Sequence, residues 1–323
     1  MKKLKLGVIF GGMSTENEVS CLSGASVIKN LNKEKYDIFP IYIDKKGNWF
    51  EVQDIEKNEK IGEELEDKKL IENVMEFLKT FDVVFPVLHG LYGEDGTIQG
   101  VFELLKIPYV GCGVLASSVG MDKVYSKIVF DKAGINQTKY VYVRKYEDKY
   151  IYVNDNFNEE LLKLEDISKI IIEKLKFPMF VKPSNSGSSV GISKVTNDKE
   201  LKEAIEEASK FDKKILIEEG INGREVECAV LGKEEVISSC VGEIKAADEF
   251  YSYDAKYNNQ ESRTLIPADI SDEKSEEIQK LAIKAFKAID GKGLSRVDFF
   301  IEKETEKVYI NEINTLPGFT SIS

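Results

Sequence analysis

A chain of 323 residues with 42% hydrophobic and 32% charged side chains is larger than one ordinary core, so two or three packed units are expected. The net charge of -12 argues against general nucleic-acid binding, which needs clustered cations to neutralise phosphates. A single histidine excludes a histidine-rich zinc site, and no apolar run nears the roughly 20 residues of a membrane-spanning helix.

The first segment, MKKLKLGVIFGG, carries the lysines of a secretory signal. Its apolar core is only Leu6 to Phe10, broken by Gly7, with no small-residue cleavage site behind it. It reads as a buried strand over residues 4–10. Gly11-Gly12 turns the chain, and Thr15 and Glu18 have capping-box spacing for a helix over 16–30. YDIFPIYID and FDVVFPVLH are continuous apolar strands, which indicates a parallel sheet with helices on its faces. Residues 54–72, rich in Glu and Lys, read as solvated helix and loop.

GEDGTIQGVFELLKIPYVG predicts a helix and a short strand, and MDKVYSKIVFDKAG an amphipathic helix stopped at Gly134. TKYVYVR is a strand, YEDKYIYVNDNFNEE an exposed insertion, and a helix follows near 160–176. FPMFVKP, VGISKV and a helix over 198–210 make a small α+β unit. In the last third ILIEEGI, REVECAVLG, VISSCVGEI, RVDFFIE and KVYINEIN are strands, around one long helix over 271–290. Boundaries near 111–122 and 213–217 divide the chain into an α/β unit (1–115) and two α+β units (116–215 and 216–323). The four cysteines lack CxxC pairing and fit a reduced, cytoplasmic chain.

Chemistry concentrates in RVDFFIEKETEKVYINEIN, a hairpin with a charged turn. Strict alternation puts Glu312 and Asn314 on the face of Val308 and Ile310, and Arg296 and Asp298 on that of Leu294 and Phe300. Carboxylates on such faces are costly unless paired or metal-bound. Asp298, Glu312 and Asn314 offer the hard oxygens that hold Mg²⁺ beside phosphates; a solvated charged face is the alternative that the hairpin alone leaves open. In VKPSNSGSSVGISKV, Lys182 ends an apolar strand before a Ser/Gly loop whose N–H groups and hydroxyls can surround phosphate oxygens. No Gly-Lys-Ser/Thr ending is present, so this is not a Walker loop, and an ordinary hairpin loop stays open. Glu218 and Glu225 are either surface acids or acceptors for adenine or ribose. Glu16 sits in a first helical turn, where dipole compensation is the simpler role. His89 ends a strand on the side where open α/β sheets bind ligands.

Together these segments resemble the D-alanine–D-alanine ligase family of the ATP-grasp superfamily. GGMSTENEVS, HGLYGEDGTIQG, MDKVYSK, KPSNSGSSVGISKV, YSYDAKY, RVDFF and NEINTLPGFTS stand in the family's order and cover nearly the whole chain. The resemblance implies an ATP-grasp fold, α/β with further α+β units enclosing a nucleotide, and a lid at about 245–263. It implies ATP phosphates on Lys123 and Lys182, Ser189 in the phosphate loop, and the adenosine at Glu218, Ile221 and Glu225. Asp298, Glu312 and Asn314 would hold two Mg²⁺, for which Mn²⁺ substitutes. Arg296 and the Gly318 N–H would stabilise a tetrahedral intermediate, Glu16 would bind the first D-alanine with His89 beside it, and Ser188 and Tyr257 would link it to the lid. Lys256 would touch substrate, and Ser323 would hold the second D-alanine. The implied product serves peptidoglycan synthesis, in a homodimer with no nucleic acid or membrane partner. Lys256-Tyr257 favours dipeptide over depsipeptide but does not separate D-alanine from D-serine as acceptor. Another ATP-grasp ligase and a silent nucleotide-binding protein are more distant readings. Two departures from the family pattern are the stop at Ser323, which leaves the second-substrate pocket in question, and the insertion before residue 160.

Overall fold

A computed structural model describes residues 2–53, 68–187, 190–245 and 263–320, built on three sheets. The first contains β1 (Leu4–Gly11), β2 (Tyr36–Ile43), β3 (Trp49–Glu51), β4 (Lys69–Leu70) and β5 (Val83–Leu88), in the order β4-β3-β2-β1-β5. β1 pairs in parallel with both β2 and β5, as the apolar runs predict. The edge is different: β3 and β4 add antiparallel, so the sheet is mixed and Lys69–Leu70 is strand rather than loop. Tyr109, expected in a short strand, makes only a single parallel bridge to Val84.

α1 (Asn17–Asn30) begins one residue late for the expected capping box. Its N-cap is Glu16, which makes no side-chain cap bond; Ser14 Oγ instead accepts the Glu16 N–H at 3.1 Å. Asn17 Nδ2 then donates to Gly12 O at 2.6 Å and Ile43 O at 3.2 Å, fastening the helix start to the ends of β1 and β2. The short α2 (Val74–Leu78) and α3 (Thr97–Leu105) complete this unit.

The second sheet runs β10-β9-β11-β6-β7-β8. Its strands are β6 (Tyr140–Tyr146), β7 (Lys149–Val153), β8 (Glu159–Leu162), β9 (Met179–Pro183), β10 (Ser193–Val195) and β11 (Lys214–Glu219), all antiparallel. The segment expected as an exposed insertion is largely structural. Residues 149–162 form the hairpin β7–β8, and Tyr150 and Tyr152 are buried in the core beneath α6 (Leu164–Lys174) and α7 (Asp198–Ala208). β11 pairs with β6 and β9, so the boundary read at 213–217 falls inside a strand of this sheet. The chain leaves it only at residues 220–222.

The third sheet, ordered β14-β13-β12-β15-β16, comprises β12 (Gly223–Gly232), β13 (Val236–Lys245), β14 (Arg263–Leu265), β15 (Gly293–Glu302) and β16 (Val308–Asn314). One long helix, α8 (Asp272–Ala288), lays Ile278, Ala282, Ala285 and Phe286 on it at helical spacing. α4 (Val114–Met121) and α5 (Lys123–Lys132) join the same core through Ala116 and Phe130. They belong by packing to the third sheet, although they precede the second in the chain.

Strict alternation fails along β16. Asp298 pairs with Glu312 but Phe299 pairs with Ile310, so Asn311 is an extra residue in a β-bulge. Val308, Ile310 and Ile313 are therefore all buried, while Glu312 and Asn314 are turned to the other face. The carboxylate and amide do not share the face of Val308 and Ile310, as a regular strand would require.

Candidate active site

The second and third sheets, with the start of α1 and the loop after β5, wall a cleft of about 840 Å³. Lys123, Lys182, Glu218, Ile221 and Glu225 line one part of it. Glu16, His89, Arg296, Glu312, Asn314 and Gly318 line the rest. Ser188, Ser189, Lys256, Tyr257, Ser323 and the segment 246–262 lie outside the described residues.

Lys182 projects from β9 into the cleft, its side chain mostly covered. Its Nζ lies 2.5 Å from Glu218 Oε1 on the neighbouring β11. The other oxygen, Glu218 Oε2, is 2.8 Å from Lys127 Nζ and accepts a hydrogen bond from Thr138 Oγ1 at 2.9 Å. Burial pushes the Glu218 carboxyl up, but Lys127 and Lys182 outweigh it and hold the group well below its ordinary value. Burial also opposes the charge on Lys182, yet Glu218 wins and its ammonium titrates above the ordinary value. Ile221 sits on the 220–222 connection, which is pinned where the Gly220 N–H donates to Pro178 O at 2.8 Å.

Lys123 opens α5. Asp122 caps that helix, its Oδ1 accepting from Val124 N and Tyr125 N at 3.2 Å each. Lys123 Nζ donates to Ser186 O at 2.8 Å and stands 3.4 Å from Glu312 Oε2. The Lys123 N–H also donates to Ser184 O at 3.0 Å, so this helix start is tied to the loop that follows Lys182.

Three carboxylates stand in register across three strands: Glu227 faces Asp298 on β15, and Asp298 faces Glu312 on β16. Like charges so placed repel, and Arg296 compensates. Its Nε and Nη2 clamp both oxygens of Asp298 at 2.7 and 2.8 Å, and its Nε is 3.3 Å from Glu227 Oε2. Burial works against the guanidinium charge, but Asp298, then Glu227 and Glu312, raise its pKa well above the ordinary value. Asn314 Nδ2 adds a 2.9 Å bond to Asp298 Oδ2.

Glu16 is 8% exposed and packs against glycine: a methyl group added to Gly90 or Gly187 would collide with its Oε2. His89 is held on both sides, Nε2 at 2.9 Å from Ser23 Oγ and Nδ1 at 3.2 Å from Glu94 Oε1. Burial raises the Glu94 carboxyl, with His89 opposing. The Phe319 N–H donates to the same Ser23 Oγ at 3.2 Å, which brings the turn holding Gly318 to the mouth of the first sheet.

Models of the two parts of D-ala D-ala ligase, N-terminus and C-terminus, match residues 5–112 and 129–323. The chain belongs to the D-alanine–D-alanine ligase family. It is 50% identical over 348 residues to a D-alanine–D-alanine ligase of Acetivibrio thermocellus, covering 99% of this chain and 89% of that protein. It is 51% identical over 326 residues to one of Clostridium acetobutylicum, covering 100% and 91%. Among solved structures it is similar to the VanG D-Ala:D-Ser ligase of Enterococcus faecalis, with a TM-score of 0.83 and 39% identity over 100% of this chain and 93% of that one. The D-alanine–D-alanine ligase of Coxiella burnetii follows with a TM-score of 0.80 and 31% identity over 100% and 87%.

This ligase-family chain brings every described candidate residue to one cleft or to its immediate backing, where Asp298 lies 2% exposed. Among the described residues no three His, Cys, Asp or Glu side chains converge to hold a metal by themselves. Magnesium takes one or two carboxylates and completes its shell with water and phosphate oxygens. Glu312 and Asp298 are the carboxylates that could hold such an ion, with the Asn314 side chain offering an amide oxygen beside them. Several residues that brace the cleft were not singled out from the sequence. Thr138, Glu227 and Ser23 lie outside the motif segments, whereas Lys127 ends MDKVYSK, four residues after Lys123 and so on the same helix face, and Glu94 lies within HGLYGEDGTIQG.

Proposed function

We propose that this chain joins two D-alanine molecules into D-alanyl-D-alanine with ATP as the energy source. The carrying observation is that two cations, Lys123 and Lys182, share one cleft with Glu312, Asn314, Arg296 and a glycine-packed Glu16, with Asp298 directly behind Glu312 and Arg296. The reaction begins with attack of the first D-alanine carboxylate on the terminal phosphorus of ATP, giving an acyl phosphate and ADP. Lys123 and Lys182 neutralise the phosphate oxygens during transfer. Magnesium, when bound at Asp298, Glu312 and Asn314, supplies further charge neutralisation at the phosphates; two ions are expected, with Mn²⁺ an acceptable substitute.

The neutral amine of the second D-alanine then attacks the acyl carbon. Negative charge gathers on the carbonyl oxygen, where Arg296 and the Gly318 N–H stabilise it. The carbon–oxygen bond to phosphate breaks, and the products are dipeptide, ADP and phosphate. Glu16 holds the first ammonium, with His89 and Glu94 shaping the pocket beside it. Glu218, Ile221 and Glu225 take the adenosine. The wider reading is a homodimer working in the cytoplasm on peptidoglycan precursors.

The acceptor is the finer question. Identities near 50% with D-alanine–D-alanine ligases, against 39% with a D-Ala:D-Ser ligase, support D-alanine. The test is to supply ATP, Mg²⁺ and D-alanine and to read phosphate release and dipeptide mass. Dipeptide is expected with D-alanine as sole amino acid. Product only when D-serine is added would move the assignment, and no turnover with any D-amino acid would end it.

A further inference from the structure

Lys127 has no place in the chemistry above, yet it is 2% exposed and carries a charge. A buried ammonium is retained only where it is paired and hydrogen-bonded. Its partners are few and all on one side. Nζ reaches Glu218 Oε2 at 2.8 Å, donates to Thr138 Oγ1 at 3.1 Å, and stands 5.3 Å from the centre of the Tyr140 ring. Lys127 does not line the cleft, whereas Glu218, Thr138 and Lys182 do. Glu218 is thus sandwiched, with one oxygen toward Lys182 and the cleft and the other toward Lys127 behind it. The two lysines are not equivalent. Lys182 is one of the cations a phosphate would claim, and a phosphate on it competes directly with Glu218 Oε1. Lys127 faces nothing a substrate can reach.

The geometry points to Lys127 as the positioning residue that fixes the Glu218 carboxylate, ionised and oriented by Thr138, so that it selects a base bearing an exocyclic amino group. This rests on the reading of Glu218 as an adenosine contact. The chemistry is direct. An anchored carboxylate is an acceptor only, so it accepts from the 6-amino group of adenine and repels the 6-keto oxygen of hypoxanthine. Without Lys127 a second buried charge would rest on Lys182 alone, and phosphate binding would leave Glu218 free to swing or take up a proton. Lys127 also ties α5, which packs on the third sheet, to β11 of the second, so it spans the two walls of the site.

The experiment is steady-state kinetics of the full chain with ATP and with ITP at saturating D-alanine, for wild type, Lys127→Met, Lys127→Arg, Thr138→Val and Glu218→Gln. For Lys127→Met, kcat/KM with ATP is expected to fall at least ~10-fold, mostly through KM, and to change less than ~3-fold with ITP, so that the base preference collapses. KM for D-alanine should stay within ~2-fold. Lys127→Arg should keep the preference, and Thr138→Val should erode it by ~3-fold, which keeps the test alive if Lys127→Met does not fold. Equal losses with ATP and ITP in Lys127→Met, or full preference in Thr138→Val, would overturn the assignment. Glu218→Gln separates the two levels: if it keeps the ATP preference, Glu218 does not face the base and the underlying reading fails. If it loses the preference while Lys127→Met keeps it, only the role of Lys127 fails.

Discussion

Replacing Arg296 by Met probes the row of carboxylates most directly. The guanidinium makes two bonds, of 2.7 and 2.8 Å, to a side chain that is 2% exposed. It also offsets Glu227 at 3.3 Å. Met keeps most of the apolar stem and removes both the charge and the fork. Asp298 is then left with Asn314 Nδ2 as its described donor, between two strands that each place a glutamate opposite it. Breaking a buried pair from one side costs about 3–5 kcal/mol. At roughly 2 °C per kcal/mol for a chain of this size, the melting midpoint should fall by about 6–10 °C. On the proposed mechanism the same arginine stabilises the tetrahedral oxyanion, and loss of such a donor costs ~10²–10³ in kcat. Arg296→Lys should recover part of the stability but little of the turnover, because a point charge cannot engage both oxygens. Differential scanning fluorimetry and a coupled ADP assay read the two effects. Addition of Mg²⁺ and ADP should raise the midpoint of Arg296→Met more than that of wild type, since a bound cation relieves the same repulsion. A midpoint within 1–2 °C of wild type with kcat within ~3-fold would show that the clamp carries neither load.

Glu312→Gln should lower turnover by at least ~10²-fold through weakened magnesium binding, with partial rescue at high Mg²⁺; near-wild-type rates at low Mg²⁺ would remove Glu312 from the metal site. Gly187→Ala puts a methyl group against Glu16 Oε2 and should raise KM for the first D-alanine by ~10-fold while sparing KM for ATP, as initial-rate kinetics would show. Tyr150→Ala empties a fully buried position in the β7–β8 hairpin and should cost about 3–5 kcal/mol in urea denaturation, as for other buried aromatic side chains, whereas a cost under ~1 kcal/mol would restore that hairpin to the surface. Acid stability should depend on Glu218. Its folded pKa lies below the ordinary 4.5, so the folded state binds fewer protons and the stability it adds is complete above that pH and lost as pH falls beneath it. Glu218→Gln should therefore be less stable at neutral pH and show a shallower loss below pH 4.5, as urea titrations across that range would reveal.

Much of the fold was readable because its strands are apolar runs with clear punctuation. VVFPVL, KILIEE and the β15 sequence announce themselves, and the core faces of α7 and α8 follow helical spacing. What escaped has physical reasons. The bulge at Asn311 is set by the partner strand, and nothing in VYINEIN marks the extra residue. Alternation alone therefore assigned Glu312 and Asn314 to the face of Val308 and Ile310, whereas the bulge turns them to the cleft. β11 was legible as a strand but not its sheet, since pairing with β6 and β9 depends on residues far along the chain. The hairpin over 149–162 was hidden by its polar turn, although Tyr150 and Tyr152 alternate inward as strand residues should. Thr15 misled because capping depends on where the helix starts, and α1 starts one residue after Glu16 rather than after Thr15.

The electrostatics of the cleft explain how so acidic a chain can receive a polyanion. A net charge of -12 repels nucleotide at long range, so attraction has to be local. Three cations of the cleft are each supplied with a carboxylate partner: Lys182 with Glu218, Lys123 with Glu312, and Arg296 with Asp298. Such pairs hold the cations in place and oriented, but a phosphate must then displace a carboxylate rather than meet a bare charge. The displaced groups do not become stranded. Glu218 retains Lys127 behind it, and on the proposed metal site Glu312 and Asp298 would turn to magnesium. The arrival of a magnesium-bound nucleotide would then exchange ion-pair partners without leaving a buried carboxylate alone. On this scheme nucleotide without a divalent cation should bind poorly, because two freed carboxylates would face its phosphates. Isothermal titration of ATP with and without Mg²⁺ should show a weakening of at least ~10², beyond what single-charge removal gives. Comparable affinity in EDTA would mean that the phosphates leave the Glu312 and Asp298 pairs intact.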